Sequence, residues 1–329
     1  MEKNIIEKLK QAKLLGRSGS CFPVGLKWEM VKKAKAAKKY IICNASEGEP
    51  DVFKDKFILE NYPEEVVEGI KIALRTMGRN SSAYIYLNKD YYPEFKEKLE
   101  KIIGSQPITI FKKPEGYIAG EETSAMEAIE GRKPEPRIKP PYPNEFGLFG
   151  YPTLVNNVET FYYVAKIAEE EYKNTRFYCV SGDAKNRGVF ELPENRTIER
   201  VLKETKNWPD FDFFAQIGGG AGGEIMLPEE LDKPISGLAS IIIFDRQKTD
   251  LYALMEKWAD FFHYGNCDKC VPCREGAFRI SQMIKNRKLD RDQLEDIFFV
   301  LEKTSFCPLG RGIPLPFKSL ISKVLNGKN

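Results

Sequence analysis

The chain has 329 residues, 42% hydrophobic and 30% charged, which at about 150 residues per domain predicts two or three domains with sizeable cores and excludes a disordered chain. Lysine plus arginine number 51 against 48 acidic residues, a net charge of +3, and that balance excludes a dedicated, strongly basic nucleic-acid binder. Seven cysteines against one histidine exclude any centre built on two imidazoles, so metal chemistry has to rest on thiolates.

Residues 1–16 read as a short helix ending at Gly16. A turn-rich segment, 16–25, leads into a lysine-rich helix through Lys39, whose lysines read as a solvated face rather than a binding patch. Tyr40-Ile-Ile-Cys43 is a buried strand that stops at Asn44. The next helix starts near Pro63 and turns Val66, Val67, Ile70, Ala73 and Leu74 to one side. Strands at 83–87 and 108–111 bracket a charged helix, an alternation that predicts an α/β layer. Glu121 to Glu130 reads as a helix, Pro134 to Pro143 as a rigid irregular loop, and Leu154 to Glu169 as a helix again.

Beyond residue 175 the texture changes. Short strands at 177–180, 188–190, 212–216 and 241–244 surround one helix, 198–204, and predict a small α+β unit. From about 248 the chain reads as helical, with Leu294, Ile297, Phe298 and Leu301 at helical spacing and Asp290 with Gln293 as a capping box. The start of the chain is charged and lacks the apolar core of a signal peptide. No stretch approaches the roughly 20 apolar residues that span a bilayer. The cysteine spacing is not a disulfide framework. A reducing, cytoplasmic setting without direct membrane insertion is the expectation.

Cys267-Asp-Lys-Cys270-Val-Pro-Cys273 is the most specific local signal. A C-x2-C-x2-C run completed by a remote cysteine is characteristic of iron–sulfur ligation. The candidate fourth ligand is Cys307, followed by Pro308; Cys21, Cys43 and Cys179 are the other choices. A four-thiolate zinc would use the same residues. His263 reads as the end of the preceding helix, where a partly charged imidazole suits the helix dipole, with ligation as its alternative.

Two glycine-rich segments compete as anion cradles. Ile217 to Gly223 formally matches G-x-G-x-x-G, but Pro228 and Pro234 interrupt the helix that a dinucleotide fingerprint must open, so a tight turn in a β-unit is expected. Gly16 to Gly25 precedes a helix and carries Arg17 and Lys27, a plausible anion site against the alternative of a flexible loop. The acidic runs Asn44–Pro50 and Gly120–Thr123 suit sugar or ribityl hydroxyls better than phosphate, with a solvated helix start as the alternative.

Taken in order, these segments resemble the NADH-oxidising flavoprotein subunit of respiratory complex I and the diaphorase subunits of NAD-linked hydrogenases and formate dehydrogenases. Residues 16–28 resemble GRGGAGFPTGLKW; Cys43 to Pro50 with Phe53-Lys-Asp55 resembles CNADEGEP…FKD. Gly120–Thr123, Pro136–Pro141, Pro152–Thr160 and Cys270–Gly276 resemble GEET, PRLKPP, PTTVNNVET and CTPCREG. Six motifs fall in register from about Gly16 to Ile321.

The resemblance implies an α/β FMN- and NADH-binding domain (1–172), a ubiquitin-like SLBB domain (173–247) and a helical [4Fe-4S] domain (248–329). It implies FMN contacts from Gly16, Gly19, Lys27, Asn44, Glu47, Asn156 and Asn157, and cofactor contacts from Arg17, Gly120 and Glu121. It implies NAD(H) contacts from Phe22, Glu49, Glu122, Lys139 and Tyr142, and cluster ligation by Cys267, Cys270, Cys273 and Cys307. No acid–base side chain is needed for hydride transfer, so no catalytic residue is expected. The cofactors convert a hydride into single electrons, and the protein supplies alignment and potential. A carboxylate beside the nucleotide implies NADH rather than NADPH. Implied partners are a thioredoxin-like [2Fe-2S] subunit or other iron–sulfur subunits, with a place in the cytoplasm or on the cytoplasmic face of a membrane complex.

Where the family has glycines, this chain has Ser18 and Cys21; Ser46 replaces an aspartate, and Met30 stands at an aromatic position. The fourth cysteine comes sooner after the third than usual, the N-terminal extension is short, and no [2Fe-2S] domain is fused. A non-catalytic iron–sulfur scaffold that has lost FMN or NADH is therefore the rival expectation.

Overall fold

The structure is a computed structural model that describes residues 5–325. The outermost parts of the expected first helix (1–4) and of the C-terminal domain (326–329) lie outside the described residues. The chain divides into two compact units: Met1–Gly48, Phe53–Glu115 and Ala119–Thr175 form one, and Glu49–Val52, Gly116–Ile118 and Arg176–Asn329 the other.

In the first unit, α1 (Ile5–Gln11) and α2 (Val24–Lys33) precede β1 (Lys39–Ala45). The lysine-rich helix therefore stops six residues before the expected Lys39. Ala34 adopts an extended backbone (φ −59°, ψ 126°), and Lys39 begins the buried strand. Next come α3 (Lys54–Asn61), α4 (Pro63–Met77), β2 (Ser81–Leu87), α5 (Tyr92–Ile103) and β3 (Ile108–Lys112). The unit closes with α6 (Glu122–Ile129), β4 (Thr153–Asn157) and α7 (Val158–Ala168). The expected helix over 154–169 is thus part strand. Thr153 to Asn157 pairs in parallel with β1, and Asn157 then caps α7 by accepting from the Glu159 amide. The helix α3 is not foreseen from the sequence, because no side chain caps it at Phe53 and its buried residues include Lys54 and Asp55.

The four strands form a parallel sheet in the order β3-β2-β1-β4. Helices α4 and α7 pack on one face; Gly69 lets them approach, since a Cβ there would lie 2.0 Å from the Phe161 carbonyl oxygen. Tyr40, Ile42, Tyr86 and Val155 meet Ala125 and Met126 of α6 in a core cluster. A parallel sheet covered on both faces explains why β1 reads as a continuous apolar run. Chain order reverses between β1 and β4, and ligands of open α/β sheets bind beyond the strand carboxyl ends at such a switch point.

The second unit opens its sheet with β5 (Thr175–Gly182) and β6 (Gly188–Pro193), followed by α8 (Ile198–Glu204), β7 (Phe213–Ile217), β8 (Glu224–Met226) and β9 (Ser240–Asp245). The sheet order is β6-β5-β9-β7-β8, and α8 buries Ile198, Val201 and Leu202 against it. The glycine-rich segment 217–223 is the turn between the antiparallel β7 and β8, as expected. Helices α9 (Leu251–Gly265), α10 (Val271–Lys285), α11 (Arg291–Thr304), α12 (Pro308–Gly312) and α13 (Pro314–Leu320) complete the unit. Asp290 caps α11 through the Gln293 amide at 3.1 Å. Trp258, Phe298 and Phe317 centre the helical core.

Candidate functional sites

The switch point of the first unit gathers the residues expected to hold a flavin. Asn44 and Asn157 are register partners at the carboxyl ends of β1 and β4, and Asn156 lies opposite Cys43. Asn44 donates to the Gly120 carbonyl at 2.8 Å. The Asn156 carboxamide oxygen accepts from the Trp28 indole at 3.0 Å, and Asn157 donates to Asp55 at 2.6 Å. Glu47 accepts from the Asp55 and Lys56 amides at 2.9 and 3.2 Å and from the Tyr91 hydroxyl at 3.1 Å. Gly120 leaves no room for a side chain, because a Cβ would sit 2.6 Å from Ser46 Oγ.

Two of the expected contacts are committed within the protein. Arg17 is 2% exposed. Its guanidinium donates to the Tyr172 hydroxyl at 3.1 Å and the Thr175 carbonyl at 3.3 Å, and its amide donates to Thr160 at 3.1 Å. Glu121 caps α6, accepting from the Thr123 and Ser124 amides. Lys139 bridges Glu121 and Glu122 at 3.1 and 2.7 Å. Burial acts to lower the Lys139 ammonium, but Glu122 and Glu121 outweigh it and the net shift is upward.

Lys27 is different. Its ammonium donates to the Val155 carbonyl at 3.2 Å and lies 5.8 Å from the Phe22 ring centre, and among the described residues no carboxylate pairs with it. Burial lowers its pKa. A desolvated cation with no carboxylate in direct contact, whose attraction to Glu122 does not offset its burial, beside an open glycine loop in which nothing lies within 4 Å of a Cβ at Gly19, fits the phosphate of FMN. The exposed faces of Phe22 (38%), Met30 (40%) and Tyr142 (52%) suit stacking.

Cys21 sits at φ +48°, the left-handed region where a side chain costs about 1–2 kcal/mol. Glycine, which the resemblance places at this position, carries no such cost. Allowing about 0.4–1 kcal/mol for the greater freedom of an unfolded glycine, Cys21→Gly is expected to stabilise the protein by about 0.5–1 kcal/mol. Calorimetry would then show a melting temperature higher by about 1–3 °C; a lower one would show that the thiol itself supports the loop.

Glu47 is pushed up to about 7, first by burial, then by the Asp55 carboxylate, against the opposing Lys54 charge and the two amide hydrogen bonds. The groups facing it are Asp55, Lys54, Lys56 and the Tyr91 phenol. Because the folded pKa lies above the unfolded value near 4.5, the folded state holds the extra proton between these values. Stability falls as pH rises through that window. Melting curves from pH 4.5 to 7.5 should show a steeper decline for the parent protein than for Glu47→Gln; parallel curves would contradict the assignment.

In the second unit, the Cys267–Cys273 run spans the end of α9 and the start of α10, and Cys307 precedes α12. Cys273 is pushed up to about 12, first by burial and then by Cys270, Cys307 and Cys267, so the four sulfurs lie within electrostatic reach of one another. The Leu309 and Gly310 amides donate to Cys307 and oppose the rise that burial causes in it. A Cβ at Gly310 would lie 3.1 Å from Cys273 Cβ, so α12 closes tightly on the first ligand segment. A C-x2-C-x2-C run with a remote fourth thiol in electrostatic reach, Cys307, that accepts from two backbone amides fits an iron–sulfur cluster. His263 lies in the last turn of α9, its ring 5.6 Å from Phe278.

Glu49 belongs to this unit. Its carboxylate accepts from the Ala221 and Gly222 amides at 2.9 and 3.2 Å and from the Tyr117 hydroxyl at 2.6 Å. The glycine turn therefore does cradle an anion, and that anion is the protein's own. Sequence reasoning missed this clamp, and it missed the buried charges of Lys54, Asp55 and Glu159, although the Phe53-Lys-Asp55 motif was their signal.

An α/β unit with a polar switch point and a helical unit with four convergent thiols define an iron–sulfur flavoprotein. Residues 9–166 match the family profile of the Nuo51 FMN-binding domain, and residues 253–325 match the NADH-ubiquinone oxidoreductase-F iron-sulfur binding region. The F subunit of the NADH-quinone oxidoreductase of Aquifex aeolicus is 32% identical over 93% of this chain and 80% of its own. An F subunit of the same type of enzyme from Rhizobium meliloti is 29% identical over 96% of this chain and 86% of its own. The alpha subunit of the NAD-reducing hydrogenase HoxS of Cupriavidus necator is 31% identical over 97% of this chain, which spans 59% of that protein. An air-oxidized NAD+-reducing [NiFe]-hydrogenase structure superposes with a TM-score of 0.89 at 29% identity, covering 97% of this chain and 60% of that one. The chain belongs to the family of NADH-quinone oxidoreductase F subunits.

Proposed function

We infer that this chain is the electron-input subunit of a larger redox complex, oxidising NADH with FMN and passing single electrons through a [4Fe-4S] cluster. FMN held there would supply two-electron hydride acceptance with one-electron release, the chemistry needed between a two-electron donor and a one-electron cluster. The chain's own residues bind and orient. Lys27 receives the flavin phosphate beside Gly16 and Gly19, while Asn44, Glu47, Asn156 and Asn157 line the switch point. Gly120 and Glu121 hold the start of α6 close to it. Phe22, Tyr142, Glu122 and Lys139 contact NADH. Arg17 and Glu49 keep the contact roles given by the resemblance, and their observed bonds make each a fixed point of its own unit. Cys267, Cys270, Cys273 and Cys307 hold the cluster.

The single observation that carries this reading is the buried Lys27, with no carboxylate in direct contact among the described residues, at the switch point of a chain that also gathers four thiols. Three domains are proposed within the two compact units: flavin-binding (1–172), SLBB (173–247) and cluster-binding (248–329). No helix among the described residues is long and apolar enough to cross a membrane, in keeping with a peripheral place, proposed to be on the cytoplasmic face of a complex. The relatives are subunits of multi-subunit assemblies by name, and we propose iron–sulfur partners, a thioredoxin-like [2Fe-2S] subunit among them. Anaerobic purification with iron, sulfide and FMN quantitation, followed by NADH titration, tests the reading. A yellow-brown protein whose flavin bands bleach with NADH supports it. A brown, flavin-free protein would favour the scaffold alternative, and a colourless zinc protein would refute both.

A further inference from the structure

Beneath the switch point lies a set of buried charges to which the resemblance assigns no role. Lys54 is 1% exposed and Glu159 is wholly buried. The Lys54 ammonium contacts Asp55 at 2.7 Å, Glu159 at 2.9 Å and the Asn157 carboxamide oxygen at 3.4 Å. Each partner leads to a different loop of the proposed flavin site. Asp55 donates its amide to Glu47 and accepts from Asn157 through its carboxylate. Glu159 lies 3.9 Å from the Arg17 guanidinium, at the base of the Gly16–Gly19 loop. Two cations, Lys54 and Arg17, meet Asp55 and Glu159 in a region closed to water, with Glu47 a third carboxylate in electrostatic reach of Lys54, and an ion pair missing one member there is far more costly than a complete one.

We propose that Lys54 is a positioning residue of the flavin site, fixing through Asp55, Glu159 and Asn157 the three loops that carry Gly16–Gly19, Asn44–Glu47 and Asn156–Asn157. The geometry favours this over a purely global stabilising role. Lys54 reaches all three loops from one point, whereas none of the three loops is continuous with another in sequence. Loss of the ammonium leaves Asp55 and Glu159 facing one another. Asp55 and Asn157 then move apart or take up protons, and the Glu47 and Asn157 side chains lose their common reference. The second unit has its own core and its own thiol cluster, so the effect is confined to the flavin side. This proposal rests on the flavoprotein reading above.

The test uses the full chain, purified anaerobically, in the parent form, as Lys54→Met, and as Lys54→Met with Glu159→Gln, which restores the charge balance and guards against a variant that does not fold. FMN is titrated into deflavinated protein by fluorescence quenching, hydrogen exchange is followed on the flavin-free chain, and the dithionite-reduced cluster is read by EPR. The expected result is FMN affinity at least about tenfold weaker in both variants, faster exchange confined to 16–20, 44–56 and 154–160, and an unchanged cluster signal. A folded double variant that binds FMN as the parent does, with unaltered exchange in those segments, overturns the proposal. A parent that takes up no FMN refutes the flavoprotein reading instead, and the exchange data then still decide whether Lys54 orders the three loops.

Discussion

Cys273→Ser is expected to empty the cluster site while leaving the flavin half of the protein at work. Iron and acid-labile sulfide should fall from about four each per chain to near zero, and the EPR signal of the reduced protein should vanish. Of the four thiols Cys273 is among the most buried, at 6% exposed, and Gly310 packs directly on its Cβ. A serine hydroxyl cannot replace a soft thiolate ligand there, and solvent has little access through which to supply another. The loss should also loosen α10 and α12, which meet at this residue. The first unit has a separate core, so NADH should still bleach the flavin bands, while electron delivery to any one-electron acceptor that draws from the cluster collapses. Cys43→Ser and Cys179→Ser are the controls: both thiols are fully buried in strands β1 and β5, away from the helices that carry the ligands, and their iron content should match the parent. Four irons retained in Cys273→Ser would show that the ligand set is wrong.

The two halves of the chain were unequally legible. The cysteine run was readable as a motif, because ligand spacing is local, and the proline after Cys307 singled that residue out as the proposed remote partner. The α/β alternation was readable through β1, α4, β2 and β3, where each element has its own period. It failed at 154–157, where a short strand runs directly into α7 and the apolar residues of the two merge into one helix-like pattern. That failure hid the most useful fact about Asn156 and Asn157, their place at a strand end rather than on a helix face. Lys54 and Asp55 were hidden for the opposite reason. Charged residues read as solvent-facing, and only the fold shows that Lys54 meets Glu159 and Asp55 meets Asn157, each from about 100 residues later in the chain. Cys21 lies between. The resemblance marked the departure from glycine, and the positive φ supplied the cost. Glu49 shows how far a motif can mislead: the glycine turn has the amide groups of an anion cradle, but a carboxylate some 170 residues earlier in the chain already fills it.

Lys27→Met is expected to move flavin affinity and protein stability in opposite directions, and the opposition is what identifies a ligand-binding lysine. A charge-assisted hydrogen bond contributes about 1.5–3 kcal/mol, so losing the contact between the ammonium and the flavin phosphate should weaken FMN binding by about 10–150-fold. In the flavin-free protein the sign reverses. Burial holds the Lys27 pKa below its usual value, which means that folding disfavours the charged form. That penalty is present at neutral pH and is relieved only as pH rises through the lowered pKa. Methionine keeps the length and the apolar stem without the charge, so flavin-free Lys27→Met should melt at or above the temperature of the flavin-free parent. A purely structural lysine would behave otherwise: its loss would lower the melting temperature and leave FMN affinity within about twofold. Isothermal titration with FMN and with riboflavin separates the contributions further. The parent should prefer FMN strongly, and the variant should lose most of that preference, because riboflavin lacks the phosphate that the ammonium is placed to meet. Equal losses for both flavins would move Lys27 from the phosphate to the ring or ribityl chain.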